Sequence, residues 1–223
     1  MKKLAAVVLA LMLLAVIQAG CSNSLRVKSE NMNELKQMLP EEAGMQWIYN
    51  GFAEYGHTMK LDSINVQPDK RLVYSVTGEV ADMSDGEAEG DFSLYLEYHI
   101  SNDGMREIVK KGEKLPHKIK EFYVLKAPLV KGNKWSEKVS INGKDTELQA
   151  EIIEDSRESE TNSRVIKVQY TAKADGMPDG TYIETRVFKE RTGIISFENT
   201  FDKDIEFNYS LFEISKKDTK KQW

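Results

Sequence analysis

The chain has 223 residues, of which 40% are hydrophobic and 30% charged, and its formal net charge is −5. An acidic chain argues against nucleic acid as a partner, because phosphate binding requires clustered Lys and Arg. The length allows one large β domain or two small modules.

The N-terminus has the three-part layout of an export signal. Two lysines near the start precede an apolar run over residues 4–17, and the small residues Ala19 and Gly20 follow it. A helix of 14 residues, rising about 1.5 Å each, reaches about 21 Å, which is shorter than the roughly 30 Å hydrocarbon core of a bilayer. We therefore interpret residues 1–20 as a signal peptide and expect the fold to begin after them.

The only cysteine follows this leader, in the stretch Gln18-Ala19-Gly20-Cys21. The stretch resembles the signal of bacterial lipoproteins, in which Leu and two small residues precede a Cys; Gln18 replaces the usual Leu. The resemblance implies that Cys21 becomes the first mature residue and carries a diacylglyceryl thioether, with an acylated amine in some bacteria. Two or three acyl chains anchor a protein stably. The expected partner is a membrane, either the cell membrane or the outer membrane, on its extracytoplasmic side.

A soluble secreted protein is the alternative interpretation. An ordinary signal peptidase would accept Ile17 and Ala19 before the cut and would leave Cys21 as a free thiol. An unpaired thiol is a liability in an oxidising compartment, so a lipid anchor accounts better for the single cysteine.

The mature chain begins with a lipidated tether, residues 21–30, and one short helix. Asn31 and Glu34 fit a capping box, and Pro40 ends the helical pattern. The apolar positions of one helical face are Met32, Leu35, Met38 and Leu39.

After this helix the hydrophobic period becomes two, which is typical of strands with one wet face. Stretches rich in Gly, Asn and Asp, such as SNDG and NGK, separate these strands. The pattern predicts an all-β protein built as an antiparallel meander. Its apolar rows are Phe92, Leu94, Leu96, Tyr98 and Ile100; Leu72, Tyr74, Val76 and Val80; Leu148, Ala150 and Ile152; Ile166, Val168 and Tyr170; and Ile205, Phe207, Tyr209 and Leu211.

Several turn residues recur at an offset of about 88. The matched pairs are Gly44 with Gly132, Trp47 with Trp135, Gly56 with Gly143, Leu61 with Leu148, and Gly104 with Gly193. We predict a duplicated module, with the helix and first copy in residues 31–115 and the second copy in residues 116–215. Two such meanders would form a curved sheet, a half-barrel or a sandwich, since one meander hides only one face.

The second copy also carries the motif Pro-Leu-x-x-Gly-x-x-Trp, at Pro128, Leu129, Gly132 and Trp135. The motif resembles a loose class of uncharacterised exported bacterial proteins. This resemblance implies a β-rich exported domain and brings no catalytic residues with it. Trp135 and Trp47 are interpreted as core anchors, with stacking platforms for a ligand as the alternative.

Motifs for catalysis and cofactor binding are missing from the sequence. His57, His99 and His117 lie far apart along the chain, and neither a nucleophile elbow nor a phosphate-binding loop occurs. The carboxylates are assigned to turns and wet strand faces. We therefore predict no catalytic residues, no cofactor and no enzyme activity, with a carboxylate-dependent hydrolase as the alternative.

One acidic stretch could hold calcium, which takes six to eight oxygen ligands and tolerates irregular loops. The spacing does not fit an EF-hand loop, and a solvated hairpin tip is the competing interpretation. The candidate ligands are Asp82, Asp85, Glu87, Glu89 and Asp91.

The chain ends in a basic tail, residues 216–223, whose plain interpretation is a solvated terminus. Removal of the leader takes away two lysines and no acid and leaves a charge of about −7. This net negative charge disfavours adsorption of the mature chain, apart from its tail, to an anionic bilayer. The sequence as a whole predicts an anchored extracytoplasmic lipoprotein that acts as a binding or envelope-interaction module, with an apolar or cell-envelope molecule as its candidate ligand; a structural spacer is a further alternative. The tail lysines are Lys216, Lys217, Lys220 and Lys221.

Overall fold

The protein folds into one antiparallel sheet, which confirms the all-β prediction. The structure is a computed structural model and describes residues 30–82, 87, 89–202 and 205–216. Within these ranges the first six strands are β1 (Met45–Gly51), β2 (Gly56–Val66), β3 (Leu72–Val80), β4 (Ser93–Ile100), β5 (Met105–Lys111) and β6 (Glu121–Leu125). The second six are β7 (Lys134–Ile141), β8 (Lys144–Arg157), β9 (Arg164–Lys173), β10 (Thr181–Lys189), β11 (Gly193–Asp202) and β12 (Ile205–Lys216).

The first strand pairs with the last, and this pairing determines the architecture. Met45 of β1 lies opposite Lys216 of β12, and the two meanders β1–β6 and β12–β7 run away from this pair in opposite directions. The edge strands of the sheet are therefore β6 and β7, which are consecutive in the chain and lie next to each other. The result is a curved sheet that forms a nearly closed barrel, and not the half-barrel or sandwich that were the other predicted forms.

Twist explains why the sheet curls. Neighbouring strands rotate by about 20–25° on average, so a twelve-stranded sheet cannot stay flat. Bulges increase the local twist, and two of them shift the register between Leu61 and Ser63 in β2 and between Ile152 and Glu154 in β8. Strand β6 falls beyond the predicted boundary at residue 115, although it pairs with β5 of the first meander.

The predicted apolar rows point into the barrel and meet in a single core. Leu94, Leu96 and Ile100 of β4 are buried, as are Ile152 of β8 and Val168 of β9. The β12 row is less enclosed: Tyr209 is buried, Phe207 and Leu211 are half-buried, and the side chain of Ile205 lies outside the described part. Side chains from both meanders thus form one core inside the barrel.

The N-terminal helix covers one end of the barrel. Residues 30–36 are helical, and the apolar side chains Leu35, Met38 and Leu39 are buried. The predicted capping box is wrong, because residue 30 is already helical and Asn31 therefore does not begin the helix.

Glu34 has partners in the second half of the chain instead. It accepts hydrogen bonds from Arg164 Nη1 at 2.7 Å and from the Leu129 amide at 3.1 Å. Arg164 Nε also donates to Asp155 Oδ1 at 2.8 Å. A charge-assisted bond to guanidinium is stronger than a neutral cap, and it ties the helix to the barrel wall.

Because all neighbouring strands are antiparallel, every connection lies at one of two ends. The helix end contains the helix and residues 37–44, together with the connections 67–71, 101–104, 126–133, 158–163 and 190–192. The loop end contains the described parts of the connections 52–55, 81–92, 112–120, 142–143 and 174–180.

Side chains close the seam between β6 and β7. The Tyr123 amide of β6 donates to Glu137 Oε1 of β7 at 2.6 Å, and the Tyr123 carbonyl accepts from Trp135 Nε1 at 3.2 Å. Arg106 Nη2 donates to Glu137 Oε2 at 2.8 Å, and the Arg106 guanidinium stacks over the Tyr123 ring. In the described strands, β6 pairs with β5 and β7 pairs with β8, so this seam lacks the backbone ladder that joins the other neighbours.

The two meanders share several local features. Gly44 and Gly132 have φ values of 89° and 88°, which favour glycine, and their amides donate to the carbonyls of Leu61 and Ile152 at 2.7 Å each. Leu61 therefore corresponds in position to Ile152, four residues away from the predicted partner Leu148. Of the other predicted pairs, Trp47 and Trp135 lie early in β1 and β7, Gly56 and Gly143 lie where β2 and β8 begin, and Gly104 and Gly193 lie where β5 and β11 begin.

Candidate functional site

The sequence-predicted sites lie partly outside the described residues. Cys21 and Asp85 belong to that part of the chain, so the lipid site and the full calcium site stay predictions. Asp91 contacts Lys111 Nζ at 2.6 Å and accepts the Ser93 amide at 2.9 Å. Among residues that the structure describes, no group of three or more His, Cys, Asp or Glu is arranged to hold a metal ion.

A charged cluster occupies the interior of the barrel. Arg186 of β10 is fully buried, and its Nε donates to Glu184 Oε1 at 2.6 Å. Its Nη1 donates to both oxygens of Glu107 on β5, at 3.0 and 2.9 Å. The guanidinium also lies over the ring of Phe122, 5.0 Å from its centroid. One guanidinium thus bridges two carboxylates that come from opposite halves of the sheet.

The surroundings of Glu107 favour its charged form. Burial would raise the pKa of this carboxyl, but the positive charge of Arg186 and the nearby His117 ring outweigh burial and lower the pKa to about 2. The Tyr182 hydroxyl donates to the second oxygen of Glu184. Each carboxylate therefore has partners suited to an ion, as buried charges require.

His117 links the cluster to the loop end. Its Nδ1 lies 3.5 Å from Glu107 Oε1, and its Nε2 lies 2.9 Å from the Tyr209 hydroxyl. The imidazole of His117 thus lies between the Glu107 carboxylate and the Tyr209 hydroxyl. The connection that carries His117 is held in addition by Asn199, whose Nδ2 donates to the Pro116 carbonyl at 3.1 Å.

His57 lies near the same end in an aromatic environment. Its ring stacks on Tyr49 with centroids 4.5 Å apart and meets Tyr209 edge-on at 4.8 Å. Burial, with a smaller contribution from the charge of His117, lowers the pKa of His57 to about 3. His57 is therefore neutral at ordinary pH, so it serves as an aromatic packing residue.

The charged cluster joins strands of the two meanders inside the barrel. Glu107, Glu184 and Arg186 are buried completely, and their side chains are held by one another. A hydrolytic pair of carboxylates needs contact with substrate and water. Arg186 Nη2 is buried without a protein partner, so one interior donor is suited to an ordered water.

The expectation that the carboxylates lie in turns and on wet strand faces is wrong for Glu107 and Glu184, which are buried. A signal was available, because Glu184 and Arg186 alternate in phase with Tyr182 and Phe188, which also point inward. Two opposite charges on the apolar face of one strand indicate a buried pair. The partner Glu107, 79 residues from Arg186, gives no such local signal.

The two tryptophans have different environments. Trp47 is buried, and its Nε1 donates to the Thr192 carbonyl at 2.7 Å, which fits a core anchor. Trp135 is half-buried at the seam and meets the ring of Tyr170 edge-on at 6.5 Å. A groove of about 410 Å³ on the outer wall of β7, β8 and β9 has Trp135 at its margin.

No helix in the described part of the chain has the length and apolar character needed to span a bilayer. No protein-family model and no curated protein matches the sequence.

Two solved structures are similar in fold. One is a proposed exported protein of Bacteroides fragilis with a YmcC-like fold, at 12% identity and a TM-score of 0.50. The other is a proposed lipoprotein of Parabacteroides distasonis, at 12% identity and a TM-score of 0.48. Each comparison covers 80% of this chain and 98% of the other. At this identity the first likeness indicates a shared fold only.

Proposed function

We propose that the protein is an extracytoplasmic lipoprotein, anchored through Cys21, whose barrel is an envelope-interaction module without catalysis. The observation that carries this proposal is the filled interior, where Arg186, Glu107 and the apolar rows occupy the space that a ligand would need. A partner must then be bound on the outer surface. The exported protein of similar fold supports an extracytoplasmic place for this one.

The short tether supports anchoring close to a membrane. Eight residues, 22–29, separate Cys21 from the first described helical residue. Fully extended, they span at most about 29 Å. A lipid on Cys21 would therefore hold the barrel at the membrane surface.

The outer wall favours a polar partner over an apolar one. The polar residues in the lining of the groove of about 410 Å³ are Lys134, Ser136, Gln149, Glu151, Gln169 and Thr171, and Trp135 and Ala150 lie beside them. Amide and hydroxyl groups of this kind suit a polar envelope component. A closed apolar core without bound partner would instead fit the structural spacer, which is the second candidate.

Replacement of Cys21 by Ser tests the anchor. In the native host we expect wild-type protein in the detergent phase after phase partition, and Cys21→Ser protein as uncleaved precursor or in the aqueous phase. Ser24→Ala is the matched control and should behave as wild type. Mass spectrometry of the wild-type N-terminal peptide should find the diacylglyceryl thioether; an unmodified thiol in aqueous-phase protein would refute the anchor.

Mass spectrometry of the intact lipidated protein separates the module from the spacer. An interaction module should retain a polar envelope component that a Gln149→Arg, Gln169→Arg variant loses, because both side chains line the groove. A spacer should retain none, and the variant should then match wild type in every measurement.

The two meanders are also proposed to descend from one duplicated unit. Equal strand order in the two halves supports this origin, as do the equivalent hydrogen bonds of Gly44 and Gly132. Superposition of residues 44–125 on residues 132–216 by strand order provides the test, and Trp47 should fall on Trp135.

A further inference from the structure

A cavity of about 470 Å³, here called the seam cavity, lies at the loop end of the seam between β6 and β7. Its lining includes Leu115 and Ile119 of the connection 112–120 and Ser140 of β7. Leu115 and Ile119 are buried, whereas Ser140 is exposed, so the cavity has an apolar floor and opens to solvent. Its volume lies within the range of about 300–1,000 Å³ that is usual for binding pockets.

The β7 edge beside the seam cavity presents unpaired backbone groups. A two-residue turn at 142–143, with φ values of 52° and 77°, joins β7 to β8, and the residues that flank such a turn exchange both backbone hydrogen bonds. Because the register has no shift, every second residue of β7 bonds to β8, and Lys138 and Ser140 face the seam instead. Within the described residues, neither β6 nor the connection 112–120 forms a backbone hydrogen bond to these two.

Strand β6 presents a second edge to the same seam. The Tyr123 amide and carbonyl are directed across it, to the side chains of Glu137 and Trp135. Glu121 lies two residues before Tyr123 on β6 and lines the seam cavity, so its backbone groups face the same side as those of Tyr123. The backbones of β6 and β7 therefore face each other across the cavity without a ladder between them.

An unpaired strand edge is a template for another strand, because its amides and carbonyls are already aligned. A second copy of the barrel is poorly suited to this place, since each of its strands is held within a curved sheet of twelve. A single extended segment needs only the usual spacing of about 4.8 Å from its neighbour. The occupant that fits the seam cavity is therefore a peptide in extended conformation.

The charges around the seam cavity favour acidic residues in such a peptide. Lys120 directly precedes β6 and Lys138 lies on β7, and both are exposed. The acids of the described lining are Glu113 and Glu121, and Glu121 already pairs with Arg106 at 3.2 Å. Opposite charges that face each other on neighbouring strands are stabilising. An acidic residue opposite Lys138 would thus be favoured next to an apolar residue that enters the cavity.

We propose that the seam cavity binds an extended peptide segment of another protein as an added strand on β7. Carbonyl groups of the peptide accept hydrogen bonds from the amides of Lys138 and Ser140. An apolar side chain of the peptide packs on Leu115 and Ile119, and its acidic neighbours lie near Lys120 and Lys138. This site goes beyond the proposed function, because it depends neither on the lipid anchor nor on the groove of β7, β8 and β9.

Synthetic peptides test the proposal on the full mature chain. The probes are fluorescent heptapeptides in which Glu alternates with Val, Leu or Phe, and anisotropy measures their binding. Matched probes carry N-methyl groups either on all Glu amides or on all apolar amides, so that each blocks one edge of the peptide. We expect at least one methylated form to bind about tenfold more weakly or worse, because backbone hydrogen bonds hold an added strand.

Variants of β7 give the complementary test. Ser140→Pro removes the amide that faces the seam, at an edge position where proline is tolerated, and should weaken peptide binding about tenfold. Ser140→Ala keeps this amide and should bind as wild type. Lys138→Glu should weaken binding about threefold or more, whereas Lys131→Glu, an exposed lysine of the helix-end connection, is the matched control and should have no effect.

Hydrogen exchange locates the bound peptide. The amides of Lys138 and Ser140 should exchange about tenfold more slowly when peptide is present, because they then have acceptors. Unchanged exchange at both amides in peptide-bound protein would refute strand addition, and so would equal binding of both methylated forms and the parent probe. The methylated probes use wild-type protein, so they decide the matter even where Ser140→Pro fails to fold.

Two further outcomes would overturn the proposal. One is a lack of binding by all of the alternating probes at concentrations up to about 1 mM, which is a weak affinity for any specific site. The other is protection of the Lys138 and Ser140 amides that rises with protein concentration and needs no peptide, which would assign this edge to a second copy of the chain. Both outcomes leave the lipid anchor standing, because neither measurement depends on Cys21.

Discussion

Arg186 Nη1 donates to both carboxylate oxygens of Glu107, at 3.0 and 2.9 Å, and this pair joins β10 to β5 across the inside of the barrel. Both residues are fully buried, and Glu184 completes the cluster from a neighbouring position on β10. Strands from the two meanders are thus connected by one ionic contact within an apolar core. The contact links the interior faces of the two meanders.

Loss of the guanidinium should destabilise the fold strongly. Arg186→Met leaves two buried carboxylates without their cation, and we expect the unfolding free energy to fall by about 3–5 kcal/mol. Arg191→Met removes an exposed arginine paired with Glu41 at 3.7 Å, and should stay within about 1 kcal/mol of wild type. Urea denaturation with an unchanged m value gives the comparison. Equal midpoints for the two variants would contradict a structural role for the cluster.

Removal of all three charges of the cluster should restore part of the stability that Arg186→Met loses. A variant that combines Arg186→Met with Glu107→Gln and Glu184→Gln contains no unpaired buried ion. Replacing all partners of a buried ion pair destabilises a protein less than removing one partner, because no uncompensated charge stays buried. We expect this variant to be more stable than Arg186→Met alone, as measured by its urea midpoint.

Stability should decrease as the pH is lowered, and His57 should cause the first part of the decrease. Burial lowers the pKa of His57 to about 3, whereas the unfolded chain has a histidine pKa of about 6.5. Between these values the unfolded state binds a proton that the folded state does not, so the unfolding free energy falls by up to about 1.4 kcal/mol per pH unit.

His57→Phe should flatten this slope between about pH 6.5 and about pH 4.5, because the ring stays stacked on Tyr49 and no longer titrates. Below an ordinary Glu pKa of about 4.3 the lowered pKa of Glu107 adds a further loss as the pH falls towards about 2. Urea titrations at several pH values measure both parts. An unchanged slope in His57→Phe would refute the assignment.

The seam should open when Glu137 is shortened. Glu137 accepts the Tyr123 amide at 2.6 Å, where other strand pairs use a backbone carbonyl. Glu137→Ala removes a hydrogen bond to a charged group, worth about 1.5–3 kcal/mol, so we expect hydrogen exchange at the Tyr123 amide to accelerate about tenfold or more. Glu121→Ala also removes a carboxylate partner of Arg106, at 3.2 Å, and should leave that amide protected. NMR exchange rates distinguish the two variants.

A chain that ends at residue 125 should not fold. It contains β1–β6 but lacks β12, which covers the β1 edge, and lacks Arg164, which holds the helix. The fragment would expose one face and both edges of a six-stranded meander. Circular dichroism should find no cooperative thermal transition in the fragment, in contrast to the full mature chain. A cooperative, monomeric fragment would contradict the dependence of one meander on the other.

The fold class and the inward faces could be predicted from the sequence, since both depend on local patterns. Alternation with period two assigns Leu94, Leu96 and Tyr98 to one face of β4, and all three are buried. The apolar spacing also predicts the short helix, with Leu35 on its buried side. These features need only neighbouring residues, because side-chain direction follows directly from the backbone period.

Tertiary structure alone decided the partners of those faces. A period of two does not say that Met45 pairs with Lys216, so the sequence left a curved sheet, a half-barrel and a sandwich open. The nearly closed barrel follows from that long-range pairing. Glu107 was assigned to water because carboxylates usually are exposed, yet it lies inside against Arg186, 79 residues away. A buried charge is tolerated only when its counter-charge lies beside it, and for Glu107 and Arg186 this proximity exists only in the folded chain.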